Sequence, residues 1–237
     1  AARLSGLTIR NGLSENDGGG IYCVSSSPNL DNLLVKRNVA YENGGGIYFF
    51  FDSNAKLNNL TIEENKSYLE GGGVFCSQSS NLSIQNSIIR KNSAQDDGGG
   101  IAIWDSNPSL AKVSVIDNFG YASGCGIYCR NSDSPLFENL LISGNWREDM
   151  KQGIFLFNSN PTLVNVNIIE KEEAYYVNGI QCAQNSNPTL VNAIIWTHNN
   201  NISFYNNGPP NSITISYSNI QGGKEGIVTY DNGTINW

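Results

Sequence analysis

A run of glycines followed by an aliphatic residue returns along this chain at a nearly constant interval, and that interval limits the fold more than any other feature. Full triplets stand at Gly18-Gly19-Gly20, Gly44-Gly45-Gly46, Gly71-Gly72-Gly73 and Gly98-Gly99-Gly100, with reduced copies at Gly124-Cys125-Gly126, Gln152-Gly153 and Asn178-Gly179. The last glycines fall at 20, 46, 73, 100, 126, 153 and 179, so the steps are 26, 27, 27, 26, 27 and 26. Self-similarity at a fixed period of this length marks a solenoid in which one repeat makes one coil.

The interior of the coil follows from its apolar columns. The residue after the last glycine is Ile21, Ile47, Val74, Ile101, Ile127, Ile154 or Ile180, and two residues on come Cys23, Phe49, Cys76, Ile103, Cys129, Leu156 and Cys182. Spacing by two puts both columns on one face of a strand. A Ser-x-Pro-x-Leu-like segment, as at Ser159-Asn160-Pro161-Thr162-Leu163, ends that strand at a bend. An asparagine column then follows at Asn32, Asn59, Asn86, Asn139, Asn165 and Asn192, interrupted by Lys112. Apolar residues lie two before it and one and three after it, so alternation breaks there. The chain must turn, and asparagine tolerates the left-handed backbone that such a turn needs. A second column closes the coil at Asn38, Asn65, Asn92, Asn118 and Asn145, replaced later by Lys171 and His198.

Each coil therefore holds three short strands, and no 3.6-residue helical pattern competes with them. Stacking like strands in parallel at about 4.8 Å gives an all-β, three-sided parallel β-helix. The crossover rule makes it right-handed. About nine coils of 26–27 residues give a rod roughly 40 Å long at that spacing. The coil after Gly179 is expected to be short, with Asn200 standing where a glycine belongs and the next start, at Gly226, 26 residues beyond it. Residues 1–237 are expected to form a single β-helix domain, and the uncapped appearance of both ends suggests a piece of a longer chain.

Composition agrees with this reading. Charged residues make up 15% of the chain, and 35 of its 237 residues are asparagine. The net charge of −7 argues against nucleic acid and against an anionic membrane surface as partners. No apolar run is long enough to suggest membrane insertion. Cys23, Cys76, Cys129 and Cys182 share one inward column and stand two coils apart. That separation is about 9.6 Å, too far for a disulfide. Buried, inert thiols are expected.

The outward positions of the first strand carry the most suggestive chemistry. One column reads Tyr22, Tyr48, Phe75, Ala102, Tyr128, Phe155, Gln181, and the next Val24, Phe50, Ser77, Trp104, Arg130, Phe157, Ala183. An exposed wall with so many rings would be a ligand surface, because contiguous exposed apolar area marks binding sites. Tyr22, Tyr48, Phe50, Phe75, Trp104, Tyr128, Arg130, Phe155 and Phe157 are the candidate glycan-binding residues. The alternatives are ring-on-ring stacking that only stabilises the sheet, or cover by a partner. An acidic column before the glycines, Asp17, Glu42, Glu70, Asp97 and Asp149, suggests calcium, with Glu42, Glu70 and Asp97 as candidate ligands. The other reading is a solvated corner, and no other cofactor is expected. The lone histidine, His198, supports no catalytic triad. Arg130 with Asp105 and Asp133 is the one mixed cluster near the rings, and no residue is assigned a catalytic role. The triplets lack the Lys-Ser/Thr ending of a phosphate loop.

The block Asn92-Ser93-Ala94, Gly98-Gly99-Gly100-Ile101, Ser106-Asn107-Pro108-Ser109-Leu110 resembles the right-handed parallel β-helix repeats of bacterial surface proteins. Its Asn-x-Ala and Gly-Gly-x-Ile parts are similar to the repeats of chlamydial polymorphic outer membrane proteins. The resemblance implies secretion to the extracellular space or display on a bacterial cell surface. Relatives of this kind include adhesins, polysaccharide lyases and pectinases. The expected function is a surface scaffold or adhesin that binds glycans along the aromatic wall. The alternatives are a carbohydrate-active enzyme, lyase or glycoside hydrolase, working on the same wall, and a structural rod whose coils self-associate end to end.

Overall fold

The computed structural model describes residues 2–148, 150–170, 176–205 and 208–237. Its chain winds into a parallel β-solenoid of about nine turns. Wall 1 is built from the strands that follow the glycines, among them Ile21–Val24, Ile47–Phe50, Val74–Ser77, Ile101–Trp104 and Ile127–Arg130. Wall 2 holds Asn29–Asp31, Lys56–Asn58 and their successors, and wall 3 holds Leu34–Lys36, Thr61–Glu63 and theirs. The register is one coil per step: Ile47 lies on Val74, Leu30 on Leu57 and Val35 on Ile62. Both inward columns of wall 1 are in the core, with Ile47, Phe49, Ile127, Cys129, Ile154 and Leu156 fully excluded from solvent. The five cysteines are free and buried.

The corners show why the polar residues recur. Asn32, Asn59, Asn86, Asn139, Asn165 and Asn192 all adopt the left-handed backbone, with φ between 50° and 55°, and Lys112 adopts it too at 56°. Their side chains face solvent and stack, with Asn165 Nδ2 donating to Asn139 Oδ1 at 3.1 Å. The second asparagine column is buried instead. Asn65 Oδ1 accepts from the backbone N–H of Asn38 at 3.0 Å and from its Nδ2 at 2.9 Å, and Asn65 Nδ2 donates to the Val35 carbonyl at 3.0 Å. A third ladder, not foreseen, runs through the buried serines that follow wall 1: Ser53 N–H donates to Ser80 Oγ and Ser132 N–H to Ser159 Oγ. Backbone groups at a tight corner need partners, and each ladder supplies them from the adjacent coil.

The glycine triplets answer to close approach. A Cβ on Gly72 would lie 2.5 Å from the Gly99 carbonyl oxygen and from Ser93, while Gly71 has φ +67°. No other residue fits both positions.

Three details depart from the sequence reading. The short coil pairs Asn178 with Asn200 and Ile180 with Ile202, so Asn201 rather than Asn200 takes the glycine position, and Ile202 then pairs with Ile227. At the last corners Thr197 is buried and its N–H donates to Asn201 Oδ1 at 2.9 Å, while His198 stands in an exposed bend. Lys171 lies outside the described residues. Finally, Trp146–Arg147 pairs antiparallel with the start of Met150–Phe157, the one antiparallel pairing among the described residues. This excursion from the repeat joins the wall 1 strand Met150–Phe157.

Candidate functional site: the outer face of the first wall

The sequence placed the ring columns on the outside of wall 1, and they are there. They are not the open strip that was expected. Tyr48, Phe75, Tyr128 and Phe155 are 5%, 2%, 6% and 9% exposed, whereas Tyr22 at the end of the column is 47% exposed. Two causes combine. Strands 4.8 Å apart bring rings into face-to-face contact, since that spacing is near a ring-stacking distance. Tyr22 stacks on Tyr48 at 5.3 Å, Tyr48 on Phe75 at 4.7 Å, and Tyr128 on Phe155 at 5.6 Å between centroids. The glycine turn also folds back against the column: a Cβ on Gly71 would sit 2.6 Å from the Phe75 Cβ.

Ala102 divides the column into two stacks. Trp104 packs against both, meeting Phe75 edge-on at 5.5 Å. Arg130 lies over the Trp104 ring at 4.8 Å and the Phe157 ring at 5.8 Å, a cation between two π faces. Phe50 flanks Tyr48 at 5.8 Å, and the Tyr48 hydroxyl meets Ser77 Oγ at 3.0 Å.

The acidic edge is also rearranged. Backbone register makes the column Asp17, Asn43, Glu70, Asp97, Ser123, because Gly18 N–H donates to the Asn43 carbonyl and Gly71 N–H to that of Asp97. Glu42 is one residue off it and exposed. Asp149 lies outside the described residues. The side chains serve the ladder: Asp17 Oδ1 accepts from Asn43 N–H at 3.1 Å, and Asp97 Oδ1 from Ser123 N–H at 2.7 Å. Among the described residues no three His, Cys, Asp or Glu side chains gather as a metal site would require. Glu70 and Asp97 follow one another in the column and Glu42 stands one residue off it, so the three carboxylates do not gather as one group.

Glu70 and Asp97 instead have another character. Burial, with Asp96 and Asp97 nearby, pushes the Glu70 carboxyl up to about 7. Burial and Asp96 push Asp97 up to about 6. Tyr128 interacts with Asp97, and burial first and that carboxylate second drive its hydroxyl well above the ordinary value. Arg130 opposes these shifts from the ring side. The mixed cluster on this wall is thus Glu70, Asp96, Asp97, Tyr128 and Arg130. Asp105 takes a left-handed corner, and both it and Asp133 are exposed, so the expected grouping of Arg130 with these two is replaced.

Beyond Tyr128 the wall opens into a groove of about 430 Å³. Its floor holds Tyr128, Phe155 and Phe157, and its rim is the excursion at Arg147 and Met150. The amides of Gln152, Gln181 and Gln184 line it together with Ser123, Arg147 and Tyr205, and among the described residues no carboxylate does. Sequence columns could not reveal this groove, because its rim is an irregular excursion from the repeat.

These features define a β-solenoid whose ordered side-chain ladders hold a ring-rich outer wall. The chain belongs to the right-handed β-helix region family, whose profile matches residues 2–122 and again 109–236. No curated protein matches the chain, and no solved structure does. Among the described residues no helix is long and apolar enough to cross a membrane.

Proposed function

We propose that this β-helix is an extracellular scaffold, displayed at a bacterial surface, that holds a glycan in the groove over Tyr128, Phe155 and Phe157. The observation that carries the reading is the groove itself. Aromatic floors beside amide and hydroxyl groups suit sugars, whose CH faces stack on rings while their hydroxyls need hydrogen-bond partners. A volume of about 430 Å³ has room for a mono- or disaccharide. The covered rings Tyr48 and Phe75 serve the fold, and ligand contact is confined to half-buried Phe157, to the edges of Tyr128 and Phe155 that line the groove, and to Trp104 and Arg130 beside it. The resemblance to chlamydial polymorphic outer membrane protein repeats is consistent with surface display. Affinity electrophoresis through a panel of polysaccharide gels tests the reading. At least one gel retards the wild type, and Phe157→Ala or the pair Trp104→Ala, Phe155→Ala restores free mobility. Unchanged wild-type mobility in every gel removes it.

A second reading has its own observation. Glu70 and Asp97 stand in adjacent coils with carboxyls pushed up by burial, Asp97 beside Tyr128 and both within reach of the Arg130 charge. Acids of that kind can exchange protons in sugar cleavage. This reading expects reducing ends or unsaturated, ultraviolet-absorbing products from some polysaccharide, lost in Glu70→Gln. Absence of both products across neutral and acidic polysaccharides rejects it.

A further inference from the structure

Gln152 and Gln181 form a relay whose polarity the backbone dictates. Gly124 N–H, which can only donate, points at Gln152 Oε1 at 2.6 Å. Gln152 therefore turns its NH2 the other way, and Nε2 donates to Gln181 Oε1 at 2.7 Å. That bond assigns the Gln181 amide: its oxygen meets Gln152, and its NH2 is the other end of a side chain that lines the groove. Gln152 is only 2% exposed, so the first link is sealed from competing water.

The relay ends where the ring column ends. Gln181 pairs in register with Phe155, and Ala183 with Phe157. A ligand on the Phe155 and Phe157 rings thus meets a fixed donor with a small apolar side chain, Ala183, beside it. Of the cations nearby, the Arg147 guanidinium donates to the Ala122 carbonyl and Arg130 is held over Trp104 and Phe157, so the donor fixed beside the Phe155 and Phe157 rings is the Gln181 amide. A ligand with a strong acceptor and a methyl group matches this donor and its apolar neighbour.

We infer that Gln181 is the specificity-determining residue of the groove, and that it selects the acetamido carbonyl of an N-acetylated hexosamine. The inference rests on the glycan-binding reading and sharpens it. Gln152 is a positioning residue that acts through Gln181.

Calorimetric titration with N,N′-diacetylchitobiose, cellobiose and digalacturonate tests it. Wild type binds diacetylchitobiose about fivefold more tightly than cellobiose, the usual worth of one neutral hydrogen bond. Gln181→Glu keeps the contact with Gln152 but removes the donor, so it abolishes the preference while the melting temperature holds. Gln152→Glu reverses the relay, because a carboxylate oxygen repels Gln181 Oε1, and the preference falls with Gln181 intact. Equal or tighter binding of cellobiose or digalacturonate by wild type overturns the inference and leaves the groove reading standing. A preference that survives in Gln181→Glu does the same. The absence of heat with all three sugars overturns the inference, while retardation of the wild type in any polysaccharide gel keeps the groove reading standing.

Discussion

Asn92 Oδ1 accepts two hydrogen bonds from a single residue, the backbone N–H of Asn65 at 3.0 Å and its Nδ2 at 2.9 Å, while Asn92 Nδ2 reaches across to the Ile62 carbonyl at 2.9 Å. Both asparagines are 1% exposed. The pair is one rung of a ladder that joins consecutive coils in a region without water. Asn92→Ala strands two donors and one acceptor in that region. The expected loss is about 2–3 kcal/mol, since buried unsatisfied groups carry their full desolvation cost. Urea unfolding followed by circular dichroism measures it, and a loss below about 0.5 kcal/mol would contradict the ladder's role.

The glycine triplets yield a contrast between two alanine variants. Gly72→Ala drives a Cβ to 2.5 Å from backbone atoms of the next coil, whereas at Gly223 nothing lies within 4 Å, although φ is +60°. Gly72→Ala is expected to lower the melting temperature by about 5–10 °C or to prevent folding, by overpacking against backbone that cannot rotate away. Gly223→Ala carries only a left-handed penalty of about 1–2 kcal/mol. Equal melting temperatures for the two would refute the argument from close approach.

Stability should rise on mild acidification. Glu70 and Glu170 are both pushed up to about 7, chiefly by burial, and Asp97 to about 6. A carboxyl raised by folding binds its proton more tightly in the folded chain. Stability therefore falls as pH climbs from the ordinary carboxylate range through 7, and returns as pH drops from 8 to 5. The effect is on the order of 2–3 kcal/mol for each glutamate. Asp31 and Glu64 are lowered by their hydrogen-bonding partners and act oppositely at more acid pH, but both are exposed and screened by solvent. Thermal melts from pH 8 to pH 5 should climb, and Glu70→Gln with Glu170→Gln should flatten the curve. A wild-type curve that is flat or falls would count against the burial of these groups.

The thiols should be silent in the native rod. Burial pushes the Cys125 thiol up to about 12, and raises those of Cys23, Cys76, Cys129 and Cys182. The thiolate is the reactive form, so a thiol reagent should titrate all five only in denaturant. Cys23, 8% exposed at one end of the column, should react first on partial unfolding. Rapid native labelling of Cys129 would be inconsistent with the inward column.

Residue identities in the linear chain determined the coil, its three walls, the inward columns and the left-handed asparagine corners. These depend on local rules repeated at a fixed interval: alternation by two, glycine where backbones touch, asparagine where φ turns positive. Ile47, Phe49 and Asn59 announce their places because each obeys one such rule. The corners at Arg37, Glu64 and Lys91 are also left-handed, yet their residue types give no hint of it. Only the tertiary structure decided what faces solvent on the outer wall. Stacking one coil on the next buries Tyr48 and Phe75 in their neighbours' faces, brings Asp97 to Tyr128, and couples Gly124 to Gln181 through Gln152. These relationships join residues roughly one coil apart or more, and they depend on side-chain directions that a column of letters does not carry.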